Sequence, residues 1–101
     1  MNFAQLCEQR YSVRKYDSKP IEAEKLEMIL NAGRLAPTAK NLQPQRILVV
    51  QGEGLEKMKE CTPCMYGQTA VLVVCYDKEI SWKSRSGREI GDVDGGIVMT
   101  S

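Results

Sequence analysis

The 101-residue chain contains no histidine. That absence removes Ser-His-Asp and Cys-His nucleophile arrangements and every histidine-ligated metal site. Any chemistry therefore falls to a carboxylate, a thiol, a lysine or a bound cofactor. No apolar run is long enough to span a bilayer, and the opening stretch MNFAQLCE is too polar for a signal peptide. Four cysteines without an export signal read as free thiols in a reducing compartment, so the expected location is cytoplasmic. Charge is nearly balanced, with 14 Lys and Arg against 13 Asp and Glu, which leaves no global field for a polyanion. Internal repeats, low-complexity tracts and linkers are also missing. One domain at most, with a modest core, is expected from this length.

Several elements can be placed from pattern. Asn2 is positioned to cap a first short helix carrying Phe3, Leu6 and Cys7 at helical spacing. After Pro20 a clearer helix is expected from about Glu22 to Leu35. Its inner face is Leu26, Ile29, Leu30, Gly33 and Ala36, and Pro37 ends it. RILVVQ and AVLVVCY read as strands buried on both faces, with a short helix carrying Leu55 and Met58 between them. DVDGGIVMTS reads as the start of a last helix, capped by Asp92 or Asp94. The order α, α, β, α, β, α defines an α/β layered domain. Strands apolar on both faces belong inside a sheet, yet only two are visible. The last helix also reaches Ser101 without a stop signal. The expectation is a portion of a larger domain, or a core completed by a second chain.

Two stretches carry candidate chemistry. In RYSVRKY (residues 10–16), an extended backbone would put Arg10, Ser12 and Arg14 on one side, with Tyr11 and Val13 opposite. Two guanidinium forks and a hydroxyl suit a phosphate dianion, although a solvated basic turn pairing with Asp17 has the same composition. In PTAKNLQP (residues 37–44), Asn41 and Gln43 each offer a donor and an acceptor for the edge of a heterocycle. Pro37 and Pro44 stiffen this helix-to-strand junction, the kind of place where α/β proteins hold ligands. An ordinary turn would use the same residues.

Taken together, RYSVRKY and LAPTAKNLQPQR resemble the N-terminal half of the FMN-dependent nitroreductase family. That family shows Arg-x-Ser-x-Arg/Lys-x-Phe/Tyr, an amphipathic helix, Pro-Ser/Thr-x-x-Asn-x-Gln-Pro and then a strand. AVLVVCY and DVDGGIVM fall where the family has its next strand and central helix, so residues 1–101 resemble the N-terminal portion of a single domain. The resemblance implies an α+β fold with helices packed on a central mixed, largely antiparallel sheet, incomplete in this chain. It implies FMN contacts from Arg10, Tyr11 (through its backbone), Ser12 and Arg14. Arg10 and Ser12 would serve the phosphate, and Arg14 either the phosphate or the pyrimidine end of the flavin. Pro37, Thr38 and Ala39 would approach the FMN held mainly by a partner subunit, with Asn41 and Gln43 close to the flavin. Two FMN sites would then form at a homodimer interface. The implied cycle is ping-pong, NAD(P)H reducing FMN and then a nitroaromatic or quinone acceptor taking its place. Gln45 departs from the family, which often has Trp or His there.

Other readings remain beside this one. Cys61-Thr62-Pro63-Cys64 has the spacing of a dithiol centre or half a zinc site, but also of two free thiols in a loop. No metal site is expected, because Cys7 falls in a helix and Cys75 in a buried strand. Trp82 among Lys83, Arg85 and Arg88 is offset by Glu79 and Glu89, so a mobile solvated loop is expected there rather than a nucleic-acid patch. A cofactor-free dimerising remnant would share every scaffold feature named above.

Overall fold

The computed structural model describes residues 2–101. Helix α1 (Phe3–Gln9) begins with a reciprocal capping box: Asn2 Oδ1 accepts from the Gln5 N–H, and Gln5 Oε1 accepts from the Asn2 N–H, both at 2.9 Å. Helix α2 spans Ala23–Arg34, a short 3-10 turn covers Ala39–Asn41, and strand β1 runs Gln45–Gln51. Helix α3 (Glu53–Met58), strand β2 (Ala70–Tyr76) and helix α4 (Gly91–Thr100) complete the order. The element types and their sequence follow the pattern reading. Asp92 and Asp94, however, lie inside the first turn of α4 and Ile90 is its cap residue, with no side-chain capping bond.

β1 and β2 pair antiparallel from Gln45↔Tyr76 to Gln51↔Ala70. In this register Ile47 faces the same side as Val74, and Val49 the same side as Leu72. Helices α2 and α4 cover that side. Ile47, Leu72, Val74, Gly33 and Val98 meet around one apolar groove there. On the other side Arg46, Leu48 and Cys75 stay open, Leu48 at 58% exposure. The strands are thus not buried on both faces, and Cys75 is exposed rather than interior. The reason is topological: a two-stranded ribbon has layers on one face only over most of its length. The inner face of α2 is also shallower than expected, since Ile29 remains half exposed while Gly33 and Ala36 are buried.

The hydrophobic core is small, Ala36 and Val98 being the buried apolar side chains among the described residues. The accessible surface is 8077 Å², whereas a self-contained monomer of this mass is expected to show about 5,700 Å². The radius of gyration is 15.7 Å, against about 13 Å for a compact domain of this length. Phe3, on α1, is 80% exposed.

Close approach on the covered side depends on small residues of α2 and α4. A Cβ at Gly33 would meet Ile47 Cδ1 at 2.9 Å and Val98 Cγ1 at 3.4 Å. A Cβ at Gly91 would overlap the ring of Tyr76, whose hydroxyl is fixed by donating to Glu89 Oε2 at 3.2 Å. Gly96, one turn further on, faces open space. Gly91→Ala is therefore expected to lower unfolding free energy by about 1–3 kcal/mol. Gly96→Ala should raise it by about 0.5–1 kcal/mol through helix propensity and loss of unfolded-state freedom. Urea midpoints of the two variants test the opposite signs.

Candidate functional site

The positive-φ non-glycine residues among the described ones all fall in the loop that joins α2 to β1. Lys40, Asn41 and Gln43 all have left-handed backbone, with φ of 53°, 54° and 52°. None is glycine, and such a residue costs on the order of 1–3 kcal/mol unless its surroundings enforce it. Several contacts do so. Thr38 Oγ1 accepts from the Gln43 N–H at 3.0 Å, and the Thr38 carbonyl accepts from the Asn41 N–H at 2.9 Å. Pro44 is fully buried, its carbonyl accepting from the Asp77 N–H at 2.9 Å. Gln43 Nε2 donates to Asn41 Oδ1 at 3.2 Å, which leaves one amide donor pair on Asn41 and one carbonyl on Gln43 turned outward. The loop thus displays a donor and an acceptor side by side on rigid backbone.

Asp94 is what ties this loop to the fold. It is 1% exposed, and its Oδ1 accepts from the Ala39 N–H at 2.9 Å, across 55 residues of sequence. Its Oδ2 is buried with no partner among the described residues. The first turn of α4 is a favourable place for a carboxyl group, because the helix dipole is positive there. Pattern reading noticed Asp94 only as a possible helix cap; its role as a latch has no local signature. Trp82 was read only as part of a solvated basic loop, and its contact with the α2–β1 loop has no local signature either. Lys40 Nζ stands 5.8 Å from its ring centroid, a cation–π distance. The segment around Trp82 is a closed hairpin rather than a free loop, with an antiparallel bridge between Lys83 and Glu89. The Ser84 N–H donates to the Arg88 carbonyl at 2.8 Å, and Ser81 is buried.

The basic stretch lies nearby without sharing one pocket. Residues 10–16 have no regular structure, and Arg10, Tyr11, Ser12 and Arg14 are all exposed. Arg10 lines a groove with Phe3, Leu6 and Thr100, while Gln43 lines another beside Arg34 and Arg46. Thr100 and Asp94 are six residues apart on α4, or about 9 Å along its axis. The two stretches therefore sit toward opposite ends of one helix. Arg14 faces Tyr66 and Cys64 instead of Arg10's neighbours. No ion pair involves Arg10 or Arg14 among the described residues. They make no salt bridge with a carboxylate, and the pairing with Asp17 that the alternative reading allowed is not made: Asp17 Oδ1 accepts from the Lys19 N–H at 2.9 Å.

An α+β layer with a stiffly held, exposed loop at its helix-to-strand junction defines the class of fold. The comparisons narrow it. The family model for the nitroreductase family matches residues 7–82, so the chain belongs to the nitroreductase family. A nitroreductase family protein from Clostridium difficile 630 superposes with a TM-score of 0.93 at 38% identity, covering 99% of this chain and 59% of that one. A Desulfovibrio desulfuricans protein described as a nitroreductase in complex with FMN gives a TM-score of 0.82 at 26% identity, over 96% of this chain and 57% of that one. A protein of Archaeoglobus fulgidus described as NADH dehydrogenase/NAD(P)H nitroreductase is 41% identical over 78 residues, 71% of this chain and 44% of its own length. The fold is accordingly the nitroreductase fold, and the chain spans about half the length of these relatives. Among the described residues no His, Cys, Asp and Glu cluster could hold a metal, and no helix is long and apolar enough to cross a membrane.

The latch has a direct test. Asp94→Ala removes the acceptor for the Ala39 N–H and should cost about 1–3 kcal/mol. Hydrogen exchange at Ala39 should accelerate by roughly tenfold or more, since 1.4 kcal/mol corresponds to a factor of ten. Exchange at Val49, in mid-strand, should change less. Equal acceleration at both amides would mean that Asp94 supports the whole fold and not this loop.

Proposed function

We propose that residues 1–101 form the N-terminal portion of a single nitroreductase-like domain and contribute one wall of an FMN site in a NAD(P)H-dependent oxidoreductase. The observation that carries this reading is the strained loop. Three left-handed non-glycine residues, Lys40, Asn41 and Gln43, occur within the family's own Pro-Thr-x-x-Asn-x-Gln-Pro stretch. Backbone strain held by buried contacts is characteristic of ligand-presenting segments.

The residues present fit an FMN molecule in chemical type. Arg10 and Ser12 offer a cation and a hydroxyl, with no carboxylate competing for Arg10, which suits a terminal phosphate. Tyr11 contributes backbone polar groups between them. Arg14 supplies a cation toward the flavin end. Asn41 and Gln43 present the amide donor and carbonyl acceptor that a pyrimidine edge requires, and Pro37, Thr38 and Ala39 approach from the same loop. FMN, when bound, supplies the hydride chemistry at its own ring, so a chain without histidine is suited to it. NAD(P)H is the proposed reductant and a nitroaromatic, quinone or similar small molecule the acceptor, taken in turn. The proposal includes a homodimer with FMN at the subunit interface, supported by the excess accessible surface and the thin core. A cytoplasmic location remains part of the same reading.

The test compares FMN with riboflavin, which lacks the phosphate. By quenching of flavin fluorescence, FMN should bind the 101-residue chain weakly but about tenfold or more tighter than riboflavin, the size of one charge-assisted phosphate contact. Arg10→Ala and Ser12→Ala should each shrink that preference. Equal binding of the two flavins would remove Arg10 and Ser12 from the phosphate site. A stoichiometric yellow chromophore on the purified chain would show that these residues hold the whole cradle. A flavin-free dimer with no NAD(P)H oxidation would favour a scaffold role.

A further inference from the structure

The end of α2 and the start of β1 enclose a groove of about 310 Å³, lined by Leu30, Arg34, Gln43, Gln45, Arg46 and Ile47. Its two sides are tied together, because Gln45 Nε2 donates to the Gly33 carbonyl in the last turn of α2 at 3.4 Å. Leu30 and Ile47 are half-buried and give the groove apolar walls. A groove of this size suits a small ligand.

Both arginines of the groove are anchored by the protein. Arg34 Nε and Nη2 donate to Asn31 Oδ1 at 3.1 and 2.6 Å. Arg46 Nη1 donates to the Gln43 and Gln45 carbonyls at 3.2 and 2.8 Å. These bonds leave Arg34 Nη1 and Arg46 Nε and Nη2 without an acceptor among the described residues. No carboxylate lines the groove, and among the described residues neither arginine forms an ion pair. Glu24 and Glu27 share a neighbouring groove with Arg34, yet neither pairs with it. Arg34, in the last turn of α2, also offsets the negative end of the helix dipole, which would otherwise oppose an anion there. Two like charges on one small groove repel each other, and an anion between them relieves that repulsion. Their prior anchoring lowers the side-chain entropy that binding must offset.

We propose that this groove binds a small organic carboxylate with an apolar body, of the aromatic-acid kind. The carboxylate accepts from the free N–H groups of Arg34 and Arg46, whose planar forks match its two oxygens. The apolar body lies against Leu30 and Ile47, a contact that an inorganic anion cannot use. The groove shares Gln43 with the α2–β1 loop but uses neither Arg10 nor Ser12. It does not depend on the flavin reading and would stand if that reading failed.

The test titrates the full chain with benzoate, benzyl alcohol, benzamidine and acetate, following the arginine Nε–H signals by NMR. Benzoate should shift Arg34 and Arg46 with a common midpoint. It should bind about tenfold or more tighter than benzyl alcohol, the size of one hydrogen bond to a charged group. Acetate, which lacks the ring, should bind several-fold more weakly than benzoate. Benzamidine, of similar shape and opposite charge, should leave both signals in place. Arg34→Gln and Arg46→Gln should each weaken benzoate several-fold, and Arg46→Lys, which keeps the charge without the fork, should restore only part of the loss. Equal affinity for benzoate and benzyl alcohol would overturn the proposal without any variant. Shifts confined to Arg10, Arg14, Arg85 or Arg88, or an unchanged benzoate affinity in both glutamine variants, would do the same. Equal affinity for benzoate and acetate would overturn the role of Leu30 and Ile47.

Discussion

The close seating of α4 on the β1–β2 ribbon underlies most of what this chain does structurally. Gly91 permits contact with the Tyr76 ring, Gly33 of α2 admits Ile47 and Val98, and Val98 is, with Ala36, a buried hydrophobic side chain of the core among the described residues. Because the helix lies so near, Asp94 in its first turn reaches the backbone of Ala39. A side chain interposed at Gly91 would move the latch as well as the core. Packing and site geometry are therefore one problem here, since close-packed interiors transmit small displacements.

The latch explains how a loop can keep three unfavourable residues. Left-handed backbone at Lys40, Asn41 and Gln43 opposes folding locally, and the surrounding bonds must outweigh it. Those bonds come from three directions: Thr38 within the loop, Asp94 from α4, and Asp77 through the Pro44 carbonyl. Lys40 adds a fourth through Trp82. The result is a preorganised segment whose exposed amide groups need little ordering to meet a ligand.

The basic stretch is held differently. It lacks regular structure, and its anchors are single bonds to the loop ahead of β2, such as that from Tyr16 to Tyr66. Arg10 and Arg14 consequently have separate surroundings, one beside the end of α4 and one beside Cys64. A ligand bridging the two stretches would have to run along α4.

Element order, the N-cap at Asn2 and the boundaries of α2 could be read directly from the chain, because each rests on contacts within a few residues. The family was legible from two motifs whose joint spacing is specific, and residues 7–82 match it. Burial was not legible. RILVVQ and AVLVVCY have the composition of interior strands, yet Leu48 and Cys75 are open, since exposure depends on what lies across the sheet and not on the strand itself. Asp94 shows the same limit from the other side. An aspartate in a helix's first turn is ordinary in sequence, and only the fold, by bringing Ala39 to within 2.9 Å across 55 residues, makes it the buried anchor of the loop. Local bonding was written in the chain's neighbouring residues; long-range partnership was decided by tertiary packing alone.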